Sequence, residues 1–79
     1  MNNFKKLSIA DKCLVHRYLY YVKCTPVISD FEYDILERQA LNKAPMDHDI
    51  HEVGSSLDSS YSFEIKEAAE ELLISLKTN

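Results

Sequence analysis

One stretch decides the fold of this chain: Ser29-Asp30-Phe31-Glu32-Tyr33-Asp34-Ile35-Leu36, which begins the second of three predicted helices. Ser29 followed three residues later by Glu32 is a capping box, in which each side chain accepts a hydrogen bond from the other residue's backbone N–H. Pro26 lies just before this start, and a proline ends a preceding helix because it has no N–H to donate. Two helices separated by so short a connection predict an antiparallel helical hairpin.

The first predicted helix begins at Ser8, where Asp11 takes the place of the Glu that is preferred in a capping box. Apolar residues then recur at helical spacing until Pro26 ends the helix. They are Ala10, Leu14, Tyr18, Tyr21 and Val22, with Val15 and Leu19 beside them.

The second predicted helix runs from about Asp30 to Asn42, and Pro45 ends it. Its apolar positions predict one stripe with two further residues next to it. The stripe consists of Phe31, Ile35 and Gln39, and its neighbours are Leu36 and Ala40. The two helices together make a hairpin over about residues 8–43.

A long loop and a third helix complete the prediction. Residues 44–61 show no clear period and contain several serines, which is typical of a loop. Residues 62–78 are the clearest helix, since their apolar residues follow the spacing of one helix face. That face is expected to pack against the hairpin, or in part to bind a partner or a second copy in a homodimer. It consists of Ile65, Ala68, Ala69, Leu72, Leu73 and Leu76.

Length and composition indicate one small all-α domain over residues 1–79. The 79 residues are 46% hydrophobic and 28% charged, as in ordinary globular proteins, and one Gly with two Pro argue against a turn-dense β fold. The first six residues are not followed by an apolar segment, so we expect no signal peptide, and no apolar run approaches the length of a membrane span. The two cysteines, Cys13 and Cys24, are too few for a disulfide scaffold. We expect a cytoplasmic protein in which Cys13 is buried and Cys24 is a loop thiol.

The net charge of −4 is unevenly distributed along the chain. Residues 1–25 carry a balance of +4, and residues 26–79 carry a balance of −8. Binding to nucleic acid depends on neutralising phosphates with a basic face, so autonomous nucleic-acid binding is not expected. Residues 1–25 form either a solvated surface or a basic strip that meets an anionic partner.

A cluster of aromatic and acidic residues is predicted at the mouth of the hairpin. Asp30, Tyr33 and Asp34 share one edge of the second helix, because they are spaced by three and four residues. Tyr20 and Tyr21 end the first helix, close to the start of the second. The alternatives are that these tyrosines, with Tyr18, are core aromatics, and that Asp34 is solvated or pairs with a Lys or Arg of the first helix.

This region resembles the N-terminal helical domain, called Ia, of bacterial NAD-dependent DNA ligases. In that family a Tyr-His pair on the first helix precedes a Pro, then Ser-Asp, a variable residue, Glu-Tyr-Asp and a Leu. The matching positions here are Pro26, Ser29, Asp30, Glu32, Tyr33, Asp34 and Leu36. His51-Glu52-Val53-Gly54-Ser55 also resembles the short Val-Gly junction that follows the family's domain. The resemblance covers about residues 14–55 and does not include the third helix.

The resemblance implies a binding site for the nicotinamide mononucleotide (NMN) half of NAD. Tyr20 and Tyr33 would then contact the nicotinamide nucleotide, and Asp30 and Asp34 would hydrogen-bond to its polar groups. Tyr21 stands where the family has His, so the site lacks that cationic donor. Nicotinamide suits such a cluster, because it is a flat ring that carries a positive charge in NAD.

Catalysis by this chain alone is not expected. Adenylation in the ligase family needs a nucleophilic Lys in a Lys-x-Asp-Gly motif, and Asp-Gly does not occur in the sequence. No catalytic triad is indicated, and one loop cluster fits no familiar zinc-ligand spacing, so no metal site is predicted. That cluster consists of Asp47, His48, Asp49, His51 and Glu52.

Three functions follow as hypotheses. The first is a stand-alone module, encoded for instance in a phage or mobile element, that binds NMN or NAD and acts in trans with a separate adenylating ligase core in DNA repair or replication. The second is an interaction module that docks on a host DNA ligase or another nucleotidyltransferase and modulates it. The third is a structural helical domain that has lost its nucleotide site.

Overall fold

The computed structural model describes residues 3–51, 59 and 61–77, and within them the chain is all-helical. This confirms the predicted fold class, since the described residues form no strand. The elements in chain order are a 3-10 helix Asn3–Lys6, α1 (Ile9–Tyr21), α2 (Asp30–Lys43), a 3-10 helix Asp49–His51 and α3 (Phe63–Lys77). No helix in the described part of the chain is long and apolar enough to cross a bilayer.

Serine side chains cap the first two helices as the sequence predicts. The Oγ of Ser8 accepts a hydrogen bond from the backbone N of Asp11 at 3.2 Å. At the start of α2, Ser29 Oγ accepts from the backbone N of Glu32, and Glu32 Oε1 accepts from the backbone N of Ser29, both at 3.1 Å. These bonds with Ser29 lower the pKa of Glu32. The complete capping box fixes where α2 begins, and therefore which residues face α1.

The third helix also begins where its serine predicts. Ser62 Oγ accepts from the backbone N of Ile65 at 3.3 Å, and α3 starts at Phe63. The predicted loop 44–61 contains the short 3-10 helix noted above. Residues 52–58, which include the Val-Gly junction, and residue 78 lie outside the described residues.

The core is organised around α1. This helix contacts α2, α3 and the 3-10 helix Asp49–His51, so its buried side chains meet residues from every later element. The side chains of Cys13, Val15 and Leu19 are fully buried. The residues they meet include Ala40 of α2, Ile50, and Ala68 with Ala69 of α3, each with at most 1% of its surface exposed. Because three of these residues are alanines, the helices can approach one another closely.

The face of α2 that is buried differs from the predicted stripe. Phe31 is 74% exposed, and Ile35 and Gln39 are also exposed. Tyr33, Leu36 and Ala40 turn towards α1 instead. The reason is that Ala40 is the smallest residue of the helix and allows the closest contact.

On α3, Leu72 and Leu73 are partly buried, but Leu76 is exposed and does not join the predicted core.

The turn between α1 and α2 contains a left-handed residue. Cys24 has a φ of 53°, a conformation that costs a non-glycine residue about 1 kcal/mol. The chain reverses here because the backbone N of Thr25 donates to the carbonyl of Leu19 at 2.8 Å. Cys24 is exposed and Cys13 is buried, as predicted.

Arg17 is the charged residue at the centre of the hairpin, with only 5% of its surface exposed. Its Nη2 donates to Glu37 Oε2 at 3.0 Å, and its Nε donates to the Tyr33 hydroxyl at 3.2 Å. Its Nη1 donates to the carbonyl of Ile50 at 3.4 Å. Burial alone would lower the pKa of Arg17, but the hydrogen bonds with Tyr33 and Glu37 outweigh it and the pKa is raised. The guanidinium therefore joins α1, α2 and the 3-10 helix as a permanent cation.

His16, the neighbour of Arg17, is buried without such partners. The Phe4 ring packs edge-on against the imidazole with 5.5 Å between ring centroids. Its Nδ1 has no hydrogen-bond partner among the described residues. Burial lowers the pKa of His16, and the charge of Glu32 opposes this only in part. The folded protein therefore holds a neutral imidazole at this position.

We expect Arg17→Met to lower the free energy of unfolding by about 2–4 kcal/mol, because it leaves the Glu37 carboxylate without its cation and the Ile50 carbonyl without the guanidinium donor. Combining it with Glu37→Leu should recover at least half of this loss, since a buried ion pair can be replaced by apolar residues. Urea denaturation measures both. Lys23→Met, which removes the exposed pair between Lys23 and Glu70, is the control and should cost less than about 1 kcal/mol. Equal losses of unfolding free energy for Arg17→Met and Lys23→Met would contradict the central role of Arg17.

We expect His16 to make the protein less stable in mild acid. The unfolded chain binds a proton at His16 near pH 6.5, whereas the folded chain binds it only at lower pH. Protonation therefore favours the unfolded state, and this contribution to stability is lost as the pH falls below 6.5. Unfolding free energies measured at about pH 7.5 and about pH 5.5 should differ less in His16→Leu than in the parent protein. An identical pH dependence in the two proteins would show that His16 is not the residue responsible.

Candidate functional site

An open cleft lies where the end of α1 meets the start of α2. Its volume is about 330 Å³, at the lower end of the range of small-molecule sites. Tyr20, Tyr21, Asp30, Tyr33, Asp34 and Glu37 line it. The structure therefore brings together all five residues that the sequence singled out, and it adds Glu37. The helix hairpin explains this, because its short connection places the last turn of α1 beside the first turns of α2.

Three tyrosine rings form the aromatic part of the cleft. The rings of Tyr20 and Tyr33 are nearly parallel, with an angle of 21° and 6.5 Å between centroids. Tyr20 and Tyr21 make an edge-to-face pair at 5.1 Å and 67°. Tyr20 and Tyr21 are 43% and 45% exposed, whereas Tyr18 is buried against Tyr61. The alternative of a core aromatic therefore holds for Tyr18 and not for the two tyrosines that follow it.

The hydroxyl of Tyr33 is held by the Arg17 network. It accepts from Arg17 Nε at 3.2 Å and donates to Glu37 Oε2 at 3.1 Å. Burial raises the pKa of Tyr33, and this effect exceeds the opposing hydrogen bond from Arg17. The phenol therefore stays neutral, and two hydrogen bonds fix the position of its hydroxyl. Tyr33 offers the cleft its ring and not an anionic oxygen.

The carboxylates give the cleft a negative charge. Asp30 and Asp34 are exposed, and neither forms an ion pair with any described residue. Glu37 is paired with Arg17, which corrects the alternative that Asp34 is the partner of a cation on the first helix. Three carboxylates against one guanidinium leave a net charge of −2 around the cleft. A cationic ligand is therefore favoured over an anionic one.

Neither of the basic residues described next to the cleft is positioned to bind an anion there. Arg17 is buried and directs its donors to Tyr33, Glu37 and Ile50. Lys23 pairs with Glu70 at 2.9 Å, and its Nζ lies 6.0 Å from the centroid of the Tyr18 ring. Tyr21 cannot replace the missing His as a cationic donor. A phosphate group therefore has no prepared partner in the described part of the cleft.

The His-containing loop is bound to α1 through His48. His48 Nε2 lies 2.8 Å from Asp11 Oδ1, and its Nδ1 accepts from the backbone N of Ile50 at 3.0 Å. Since Nδ1 accepts, the proton is on Nε2 and is donated to Asp11. Among residues 3–51, 59 and 61–77, no three His, Cys, Asp or Glu side chains are grouped closely enough to hold a metal ion. Burial also raises the pKa of Cys13, which keeps its thiol protonated.

Sequence reasoning missed the roles of Arg17 and Glu37. In the sequence, Arg17 contributes only to the basic balance of residues 1–25, and Glu37 only to the acidic balance of residues 26–79. A signal was present in the spacing, because Tyr33 and Glu37 are four residues apart and share one face of α2. The position of Arg17 opposite that face depends on how the two helices pack, which no local pattern specifies.

Comparison of the chain with protein-family models, with curated proteins and with the solved structures finds no match. The resemblance to the ligase domain therefore stays a prediction.

We expect the phenol of Tyr33 to resist ionisation in the folded protein. Burial holds the folded-state pKa of Tyr33 above the ordinary value of 10. The contribution of the protonated phenol to stability is therefore complete below pH 10 and is lost as the pH rises from 10 through the folded-state pKa. A spectrophotometric titration of the folded protein should show a late-ionising component that disappears in Tyr33→Phe and in urea. A titration curve whose late component survives in Tyr33→Phe would contradict the assignment.

Proposed function

We propose that this chain binds the nicotinamide nucleotide half of NAD in the cleft, and that it acts in trans with a separate adenylating ligase core. The observation that carries the proposal is that Tyr20, Tyr21, Asp30, Tyr33 and Asp34 line one open cleft. These are the residues that the resemblance to the ligase domain implies. The adenylating core would supply the nucleophilic lysine and the rest of the NAD site.

The charge and the shape of the cleft support a nicotinamide ring in its oxidised form. That ring is flat and positively charged, so it stacks on tyrosine faces and is attracted by carboxylates. Tyr20 and Tyr33 present nearly parallel rings, and Asp30 and Asp34 lie along the same edge of α2. The carboxylates can also accept hydrogen bonds from the carboxamide or ribose groups.

The phosphate of the nucleotide is expected to point away from the cleft. The cleft is negatively charged, and Arg17 and Lys23 are engaged elsewhere. The phosphate would then be bound by solvent or by the ligase core. Affinity of the isolated chain should accordingly be weak, with a dissociation constant of about 1 mM, equivalent to about 4 kcal/mol.

A docking module that modulates a ligase is the second candidate function. Exposed apolar residues favour it, because Phe31 and Ile35 lie on α2 next to Asp30 and Asp34 of the cleft. Such residues are typical of surfaces that a partner covers. In this function the cleft tyrosines would contact the partner and need not bind a nucleotide. A structural domain without any ligand is the remaining alternative.

An amide NMR titration with NMN tests the proposal. We expect saturable shifts at the amides of the five cleft residues, and much smaller shifts with reduced NMN, whose ring is neutral. Asp34→Asn should weaken binding about two- to fivefold, as expected for one exposed charge. Glu64→Gln, which removes an exposed carboxylate on α3 far along the chain from the cleft, is the matched control and should leave the affinity unchanged.

The proposal fails if NMN causes no saturable shift at concentrations up to about ten times the expected dissociation constant. Equal binding of oxidised and reduced NMN would also count against it, because the ring charge would then play no part. Either result would favour the docking module. Co-purification with a DNA ligase, lost on Phe31→Ser, would then be the observation to seek.

A further inference from the structure

We propose that the cleft binds an alkylammonium head group as a ligand in its own right. The inference concerns the same cleft as the proposed function and rests on the same lining residues. It goes beyond that function because it does not require a nicotinamide ring, a ribose or a phosphate. The head group can belong to an N-methylated lysine of a partner protein or to a small choline-like molecule.

The arrangement of the rings supports an alkylammonium ligand. Tyr20 and Tyr21 meet at 67° and form a corner, and the ring of Tyr33 is nearly parallel to that of Tyr20. Aromatic faces carry negative potential and attract a cation whose charge is spread over methyl groups. The ring of Tyr33 is held in place through its hydroxyl by Arg17 and Glu37. Part of the aromatic surface is therefore preorganised before any ligand arrives.

The electrostatics also support a cation. Asp30 and Asp34 form no ion pair with any described residue, and the guanidinium of Arg17 is directed into the protein. The C-terminal end of α1 lies at the cleft and has no basic residue in its last turn. The N-terminal end of α2 also lies at the cleft, so the partial charges of the two helix ends oppose each other and the carboxylates decide the sign of the field. No basic side chain is among the residues that line the cleft.

The chemistry of the cleft distinguishes an alkylammonium group from a metal ion. Metal ions such as Mg²⁺ and Ca²⁺ need several oxygen ligands at short distance, and the described residues form no such group. An alkylammonium group needs ring faces and a diffuse negative field, which Tyr20, Tyr21 and Tyr33 with Asp30 and Asp34 supply.

Binding of choline, compared with the alcohol in which a tert-butyl group replaces the trimethylammonium group, tests the inference. The two compounds have the same shape and differ in charge. Amide NMR titrations should show choline binding at the cleft at least about tenfold more tightly. Tyr20→Leu should abolish the difference and Tyr20→Phe should keep it. Phe63→Leu, at a 72% exposed aromatic of α3, is the matched control and should change nothing.

The source of the head group is identified by a peptide that carries trimethyllysine, titrated beside its unmodified form. Tighter binding of the methylated peptide than of choline assigns the ligand to a protein side chain, and the reverse order assigns it to a small molecule. Equal binding of choline and its neutral analogue, or binding of neither, would overturn the inference.

The two proposals fail separately. Choline binding without NMN binding supports the cation site and removes the nicotinamide function. NMN binding with no preference for choline over its neutral analogue supports the nicotinamide function and removes the cation site.

Discussion

The structure depends on the position of a single guanidinium. Arg17 is a buried cation whose donors reach α2 at Tyr33 and Glu37 and the following 3-10 helix at Ile50. A buried charge is tolerated only where its partners are in place, so this residue admits few alternative packings of the hairpin. The same contacts orient a ring and a carboxylate of the cleft. The packing of the hairpin and the position of two cleft residues are therefore set by one interaction, and a change at Arg17 affects both.

The limits of the helices could be predicted because they depend on neighbouring residues. Ser29 and Glu32 bond to each other across one turn, and Pro26 and Pro45 prevent the preceding helices from continuing. The buried face of α2 could not be predicted in the same way. Phe31 is more hydrophobic than Ala40, yet Ala40 is buried, since close contact between helices favours the smaller residue.

The lining of the cleft was predictable only in part, for a related reason. Tyr20, Tyr21, Asp30, Tyr33 and Asp34 lie next to the turn, so sequence proximity alone brings them together. The ion pair between Arg17 and Glu37 joins residues twenty positions apart, and its geometry follows from the crossing of two helices. Because Glu37 pairs with Arg17, the carboxylates of Asp30 and Asp34 have no cation among the described residues, and the cleft is acidic. The charge of the cleft therefore depends on how α1 and α2 pack against each other, which no local sequence pattern specifies.

The fully buried alanines have a consequence for evolution of this chain. At Ala40, Ala68 and Ala69 a larger side chain would separate helices that now touch, and the rest of the core would lose contact with them. The exposed tyrosines of the cleft carry no such restriction from packing. Descendants of this sequence are therefore expected to vary more at the exposed residues of the cleft than at these three positions. Distant relatives would then be recognised more readily by the spacing of their small residues than by the residues of the cleft.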